Sequence, residues 1–145
     1  MKDYHPLVTP PSSNEDSDGA FRVFEEFLII YQPALEQAEC YLEQFSSIMQ
    51  TGFSSAYTPW LKAVRELRKG IYLMAKKIPL PDPESFQDAL RTFSFDSAAQ
   101  LIRDICIGCK MRIDANWAKH FRDNILILSQ AYRVLRPTQV LQPSR

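Results

Sequence analysis

Along residues 21–49 apolar side chains recur at helical spacing for about eight turns, and no other feature of the chain restricts its fold so strongly. At about 100° per residue, Phe21, Phe24, Phe27, Leu28, Tyr31, Leu35, Ala38, Leu42, Phe45 and Met49 all fall within about 60° of one line. A stripe of that length has to be buried against other elements, so a long amphipathic helix is expected from about 20 to 49. Pro33 leaves the register intact; it removes one backbone donor and predicts a kink in a helix that continues. Gly52 is the expected stop. Phe21, Phe24, Phe27, Tyr31 and Phe45 lie on the inner face and are expected to organise the core, because aromatic side chains bury the most area.

Downstream, Thr58-Pro59 supplies a capping hydroxyl followed by a proline at the first helical position, where its missing N–H is harmless. Trp60, Val64, Leu67, Ile71, Met74 and Ile78 then share one face, which predicts a second helix from about 59 to 78. Prolines at 79, 81 and 83 favour an extended connection across one end of a bundle. Pro83 can open a short third helix carrying Phe86 and Leu90, ending where Phe93-Ser94-Phe95 interrupts and Asp96 offers a new cap. Beyond it, Ala98, Leu101, Ile102, Ile105 and Cys109 hold one face, whereas Phe121, Ile125, Leu128, Tyr132 and Leu135 hold another, rotated by roughly 145°. Either one long helix is buried by different neighbours along its length, or it breaks near Ile113; a cap at Asp114 favours the break.

These stripes specify an all-α, single-domain chain: an antiparallel helical bundle of four to five helices. Residues 1–19 offer too little apolar surface to offset the entropy of ordering them and are expected to form a disordered N-terminal arm. The bundle then occupies 20–135, and 136–145, opening on the helix-stopping pair Arg136-Pro137, forms a C-terminal tail. Within the arm, Thr9-Pro10 fits a proline-directed phosphorylation site, and Ser12 and Ser13 precede acidic residues. The longest apolar runs, such as 27–31 and 125–128, fall far short of the roughly 20 residues that span a bilayer, so no membrane insertion is expected. Three cysteines, an odd count behind an opening stretch with no apolar run, point to a reducing, intracellular setting, cytoplasmic or nuclear.

Seventeen basic and seventeen acidic residues cancel, which removes any global pull towards nucleic acid or an anionic membrane, but the charge is segregated. Residues 1–56 hold nine acids and two bases, and residues 57–81 one acid and six bases. On the first helix Glu25, Glu36, Glu39 and Glu43 form an acidic flank. On the second, Lys62, Arg65, Lys69 and Lys76 lie about 140 to 200° from the apolar centre and are expected to point away from the core, unable to pair easily with the first helix. Lys62, Arg65, Lys69 and Lys76, with Glu36, Glu39 and Glu43, are therefore the candidate partner-binding residues. No aromatic residue is expected to be exposed among the lysines and arginines, which disfavours base stacking. Ile29, Ile30 and Leu73 sit well off their apolar centres and could form a second apolar surface. Trp60 and Trp117 read as core anchors.

Catalytic and metal chemistry find little material. Cys106-Ile-Gly-Cys109 is a lone C-x-x-C without a second pair, a following His or a βαβ setting, and reads as two structural thiols. His120 could join those cysteines, or Cys40, only if the chain folds back at Asp114. With two histidines and no nucleophile elbow or phosphate loop, the expectation is no enzyme, no cofactor and no metal. What remains is a protein-interaction module, adaptor or regulatory subunit, binding a protein partner or a second copy of itself as a homo-oligomer. The alternative is a small nucleic-acid-binding subunit using the basic stripe.

Overall fold

The computed structural model describes residues 17–48 and 58–141, with side chains at 17–44 and 58–135. The N-terminal arm up to residue 16, with Thr9, Ser12 and Ser13, lies outside the described residues, as do the side chain of Phe45, Met49, Gly52 and residues 142–145. Among the described residues there are five α-helices and no strand: α1 (Ser17–Ile48), α2 (Thr58–Ala75), α3 (Pro83–Phe93), α4 (Asp96–Gly108) and α5 (Trp117–Leu141). None of these helices is long and apolar enough to cross a membrane.

The helix α1 runs unbroken through Pro33 and packs against α2, α5 and α4. A short α3 bridges α2 and α5. The expected stripe is the core: Phe24, Phe27, Tyr31, Leu35, Ala38 and Leu42 from α1 meet Val64, Leu67, Ile71 and Met74 from α2, and Phe121, Ile125, Leu128 and Tyr132 from α5. Its aromatic centre is contiguous. Tyr31 lies 5.2 Å from Phe121 edge-on, and Trp117 stacks on Phe121 at 5.0 Å. Trp60 lies 6.5 Å from Phe93, so both tryptophans pack against the core while staying partly exposed. At this centre sits one buried polar contact, Asn124 Nδ2 donating to the Tyr31 hydroxyl at 2.7 Å across 93 residues of chain. Periodicity puts Asn124 at the apolar face of α5, three residues after Phe121 and four before Leu128, but no motif names its partner.

Boundaries differ from the expectation at several points, each for a local reason. Ser17, Asp18 and Gly19, read as part of the arm, form the first turn of α1, where the Asp18 carboxylate favours the positive end of the helix dipole. The second helix stops at Ala75, three residues short of Ile78. Lys77 turns into the left-handed region (φ 63°), the N–H of Ile78 bonds to the Leu73 carbonyl (2.9 Å) and that of Lys77 to the Met74 carbonyl (3.0 Å). That double closure satisfies the orphan carbonyls of the last turn and swings Ile78 out of the apolar stripe, leaving it exposed. An identical closure ends α4: Lys110 (φ 67°) bonds to Ile107 and Met111 to Cys106. The break expected before α5 is real, and the Asp114 carboxylate accepts from the Asn116 N–H in the turn that precedes Trp117. Asp96, expected to cap α4, is instead its first residue; Phe95 takes the cap position and the Asp96 carboxylate accepts from Arg122 of α5 at 2.7 Å. Arg136-Pro137 does not stop α5, which continues to Leu141.

Two close approaches fix α3. Asp82 caps it through its carboxylate, which accepts from the Ser85 N–H (3.2 Å) and hydroxyl (2.7 Å), and Pro83 follows at the first helical position. Gly70 of α2 lets the Phe86 ring of α3 approach the helix closely, where a Cβ would overlap the ring.

Candidate interaction surface

The charged residues singled out in the sequence come together where α1 and α2 run antiparallel, but they sort into two groups. Arg68 Nε donates to Glu39 Oε1 at 2.7 Å and Arg65 Nε to Glu39 Oε2 at 3.1 Å, so one carboxylate is held by two guanidinium groups. Arg65 Nη2 reaches Glu43 at 3.0 Å, Arg68 Nη1 lies 3.8 Å from Glu36, and Gln32 donates to Glu36 at 2.7 Å. The expectation that the basic stripe cannot pair with the first helix is therefore wrong for Arg65. A helical wheel gives the direction of the Cβ atom, whereas an arginine carries its fork several ångströms beyond it and can lean back over a neighbouring helix.

Glu39 is the centre of this clasp, its side chain only 16% exposed. Burial pushes its pKa up, but the hydrogen bonds and charges of Arg68 and Arg65 together outweigh burial and hold the carboxyl below its ordinary range.

Lys62, Lys69 and Lys76 form the second group. All three are exposed, and among the described residues none makes an ion pair. Lys62 and Lys69 lie close enough to Asp82 to help lower its pKa, chiefly the work of the Ser85 hydrogen bonds. The ammonium of Lys76 sits 5.6 Å from the centre of the Tyr72 ring. Tyr72 itself is 49% exposed between Lys69 and Lys76, which corrects the expectation that no aromatic residue is exposed in the stripe.

Of this row only Lys69 borders a groove of about 320 Å³ between α1 and α2, which is lined by Leu28, Gln32 and Tyr72 together with Glu39, Arg65 and Arg68, whereas Lys62 lines a cleft between α2 and α3. Leu28, expected in the core, is only partly buried because it forms this wall. Next to it Ile29 is 77% exposed, more than any other large apolar residue described. Ile30 packs against the core, and Leu73 lies with Leu80 and Pro81 of the α2–α3 connection, so the three residues form no single surface. Only Ile29 faces outward.

The cysteines and His120 do not converge. Cys106 is buried in the last turns of α4 with its thiol donating to the Ala34 carbonyl (3.6 Å), and burial, with Cys109 beside it, pushes its pKa up to about 11. Cys109 occupies the cap position after α4 and Cys40 is exposed on α1. His120 is buried at the start of α5, and burial lowers its pKa despite the nearby Asp114 and Asp123. Among the described residues no group of three or more histidines, cysteines and carboxylates could hold a metal ion. A second groove, of about 380 Å³, separates α1 from α4 between Tyr41, Leu101 and Gly108. Comparison with protein families, with curated proteins and with solved structures returns no match.

Proposed function

We propose that this chain is a non-enzymatic protein-interaction module, an adaptor or regulatory subunit of the cell interior, whose binding face is the outer side of the α1–α2 pair. One observation carries the reading: Lys62, Lys69 and Lys76 lack ion-pair partners among the described residues, while Tyr72 stands half-exposed in the groove that Lys69 also lines, and Ile29, the residue after the groove-lining Leu28, is exposed on α1. An exposed aliphatic and an exposed aromatic residue rimmed by charge is the composition of a docking patch. Because Glu36, Glu39 and Glu43 are engaged by Arg65 and Arg68, the acidic flank is less available for docking on the lysines of a second copy. A separate protein partner is thereby favoured over self-association.

Affinity purification of the intact protein from its native cell, with and without nuclease, tests the reading. A stoichiometric protein that survives nuclease and is lost from the Lys62→Glu, Lys69→Glu, Lys76→Glu variant supports it; equal recovery with that variant refutes the assignment of the face. Arg65 is left intact in this variant because reversing it would also open the clasp. A nucleic-acid-binding role is favoured by one specific observation, Tyr72 exposed between two lysines as a stacking platform. Nucleic acid that co-purifies at low salt and is released at high salt would select that role instead.

A further inference from the structure

Building on the assignment of the α1–α2 face as a protein-docking surface, we infer that its occupant is an acidic amphipathic helix of a separate partner, laid lengthwise along the groove. The lysines set the charge. Lys62 and Lys69 lie seven residues apart on α2, about 10.5 Å along its axis, and Lys76 follows after seven more, in the turn that closes the helix; all three are exposed. A partner helix presents carboxylates at that same interval whenever they are seven residues apart. An extended segment covers the interval in about three residues, and because its side chains alternate between faces, the third then points away.

The apolar contacts agree with a helix. Leu28 and Tyr72 line the groove, giving a seam between two antiparallel helices into which a third helix sets residues spaced three and four apart, and Ile29, the residue after Leu28, is exposed on α1. The acidic class is selected over its competitors by the same residues. A phosphate backbone carries a charge at every nucleotide and would set some of them against Glu66 and Asp82 beside the lysines, whereas a helix with acids seven residues apart leaves the positions between them neutral. A second copy of this chain could offer Glu36, Glu39 and Glu43 only by releasing its own arginines.

The test is selection from a displayed library of random peptides about 20 residues long, enough for about 30 Å of helix, against the full chain. The expected result is enrichment of sequences with acids seven apart beside apolar residues three and four apart. Their affinity should fall about tenfold or more in the Lys62→Glu, Lys69→Glu, Lys76→Glu variant, several-fold in Ile29→Ser, and steeply with added salt. A triple Lys→Gln variant, tested with the same peptides, keeps the result readable if charge reversal perturbs folding; it should lose affinity in the same direction. Enriched peptides that are neutral or basic, or whose binding ignores both sets of changes, would overturn the acidic helix while leaving an interaction module in place. A concentration-dependent dimer of the chain abolished by the lysine variants would overturn the separate partner. No enrichment, with no stoichiometric protein recovered from the native cell, would overturn this inference and the functional reading beneath it.

Discussion

Replacing Gly70 by alanine sets two opposed effects against each other, and the structure decides the sign. In the interior of an exposed helix the change is favourable by about 1 kcal/mol, because glycine surrenders more backbone freedom on folding. At Gly70 the added methyl would stand 2.1, 2.5 and 2.8 Å from three atoms of the Phe86 ring, whereas ordinary carbon contacts begin near 3.5 Å, so the ring has to retreat by about 1.4 Å. It has nowhere to go: Phe86 is 1% exposed, with Tyr132 5.3 Å behind it edge-on and Phe24 at 6.2 Å. Overpacking costs typically about 1–3 kcal/mol, and this overlap belongs at the upper end. The net expectation is destabilisation by about 2 kcal/mol, a fall in Tm of roughly 6–8 °C for a chain of this size. Gly108→Ala is the internal control, since nothing lies within 4 Å of its added carbon, and it should be neutral or mildly stabilising. Urea denaturation followed by far-UV circular dichroism measures both. In the Phe86→Ala background, where the ring is gone, Gly70→Ala should turn stabilising, a coupling well beyond the roughly 0.5 kcal/mol of independent sites. If Gly70→Ala matched Gly108→Ala in sign, or the cycle were additive, the close approach of α3 to α2 would be refuted.

Three further outcomes follow from the local geometry. Lys110→Gly should stabilise the chain by about 0.5–1 kcal/mol, by relieving the left-handed backbone at φ 67°; Lys77→Gly should gain less, because it also removes an ammonium 5.2 Å from the Phe21 ring centre, and paired urea midpoints compare the two. Glu39→Gln should cost about 1 kcal/mol at neutral pH, kept modest because Arg65 and Arg68 are over a third exposed. With its folded pKa below the unfolded value of about 4.3, the Glu39 contribution is complete above that value and lost as pH falls through the folded one, so wild type and variant should converge in acid; a gap that persists at low pH contradicts the clasp. Alkylation should modify Cys40 first and Cys109 more slowly, while Cys106, buried and with its pKa at about 11, should react only as fast as the protein opens; mass spectrometry of a time course shows the order.

Where a helix boundary is set by residues beside it, the sequence displays it. The α3 limits of Pro83–Phe93 are legible because the proline and the interrupting Ser94 act on their own neighbours, and the break before α5 is legible in Asp114 for the same reason. The end of α2 is hidden because its signal is normally a glycine after the last turn, and here a lysine takes the left-handed position while the apolar spacing runs on to Ile78. Asn124 is hidden more deeply. Its partner, Tyr31, lies 93 residues away, and only the packing of α1 against α5 brings the two together.

The candidate surface is legible in composition and hidden in pairing, yet the arginine and lysine positions of α2 already differ. On the helical wheel Arg65 sits about 40° and Arg68 about 100° round from the common direction of Lys62, Lys69 and Lys76, both displaced in the same sense. The arginines are on the side that meets α1, where a planar fork can hold a partly buried carboxylate through two nitrogens, and a lysine, more strongly hydrated and offering a point charge, would serve less well. The lysines are on the side that meets solvent. The acidic excess of the first 56 residues and the basic excess of the next 25 therefore do two things at once: part of each is consumed in joining α1 to α2, and the positive charge left over is gathered in one row. That residue of charge beside an exposed isoleucine and tyrosine, and not the segregation as a whole, is what the proposed partner has to match.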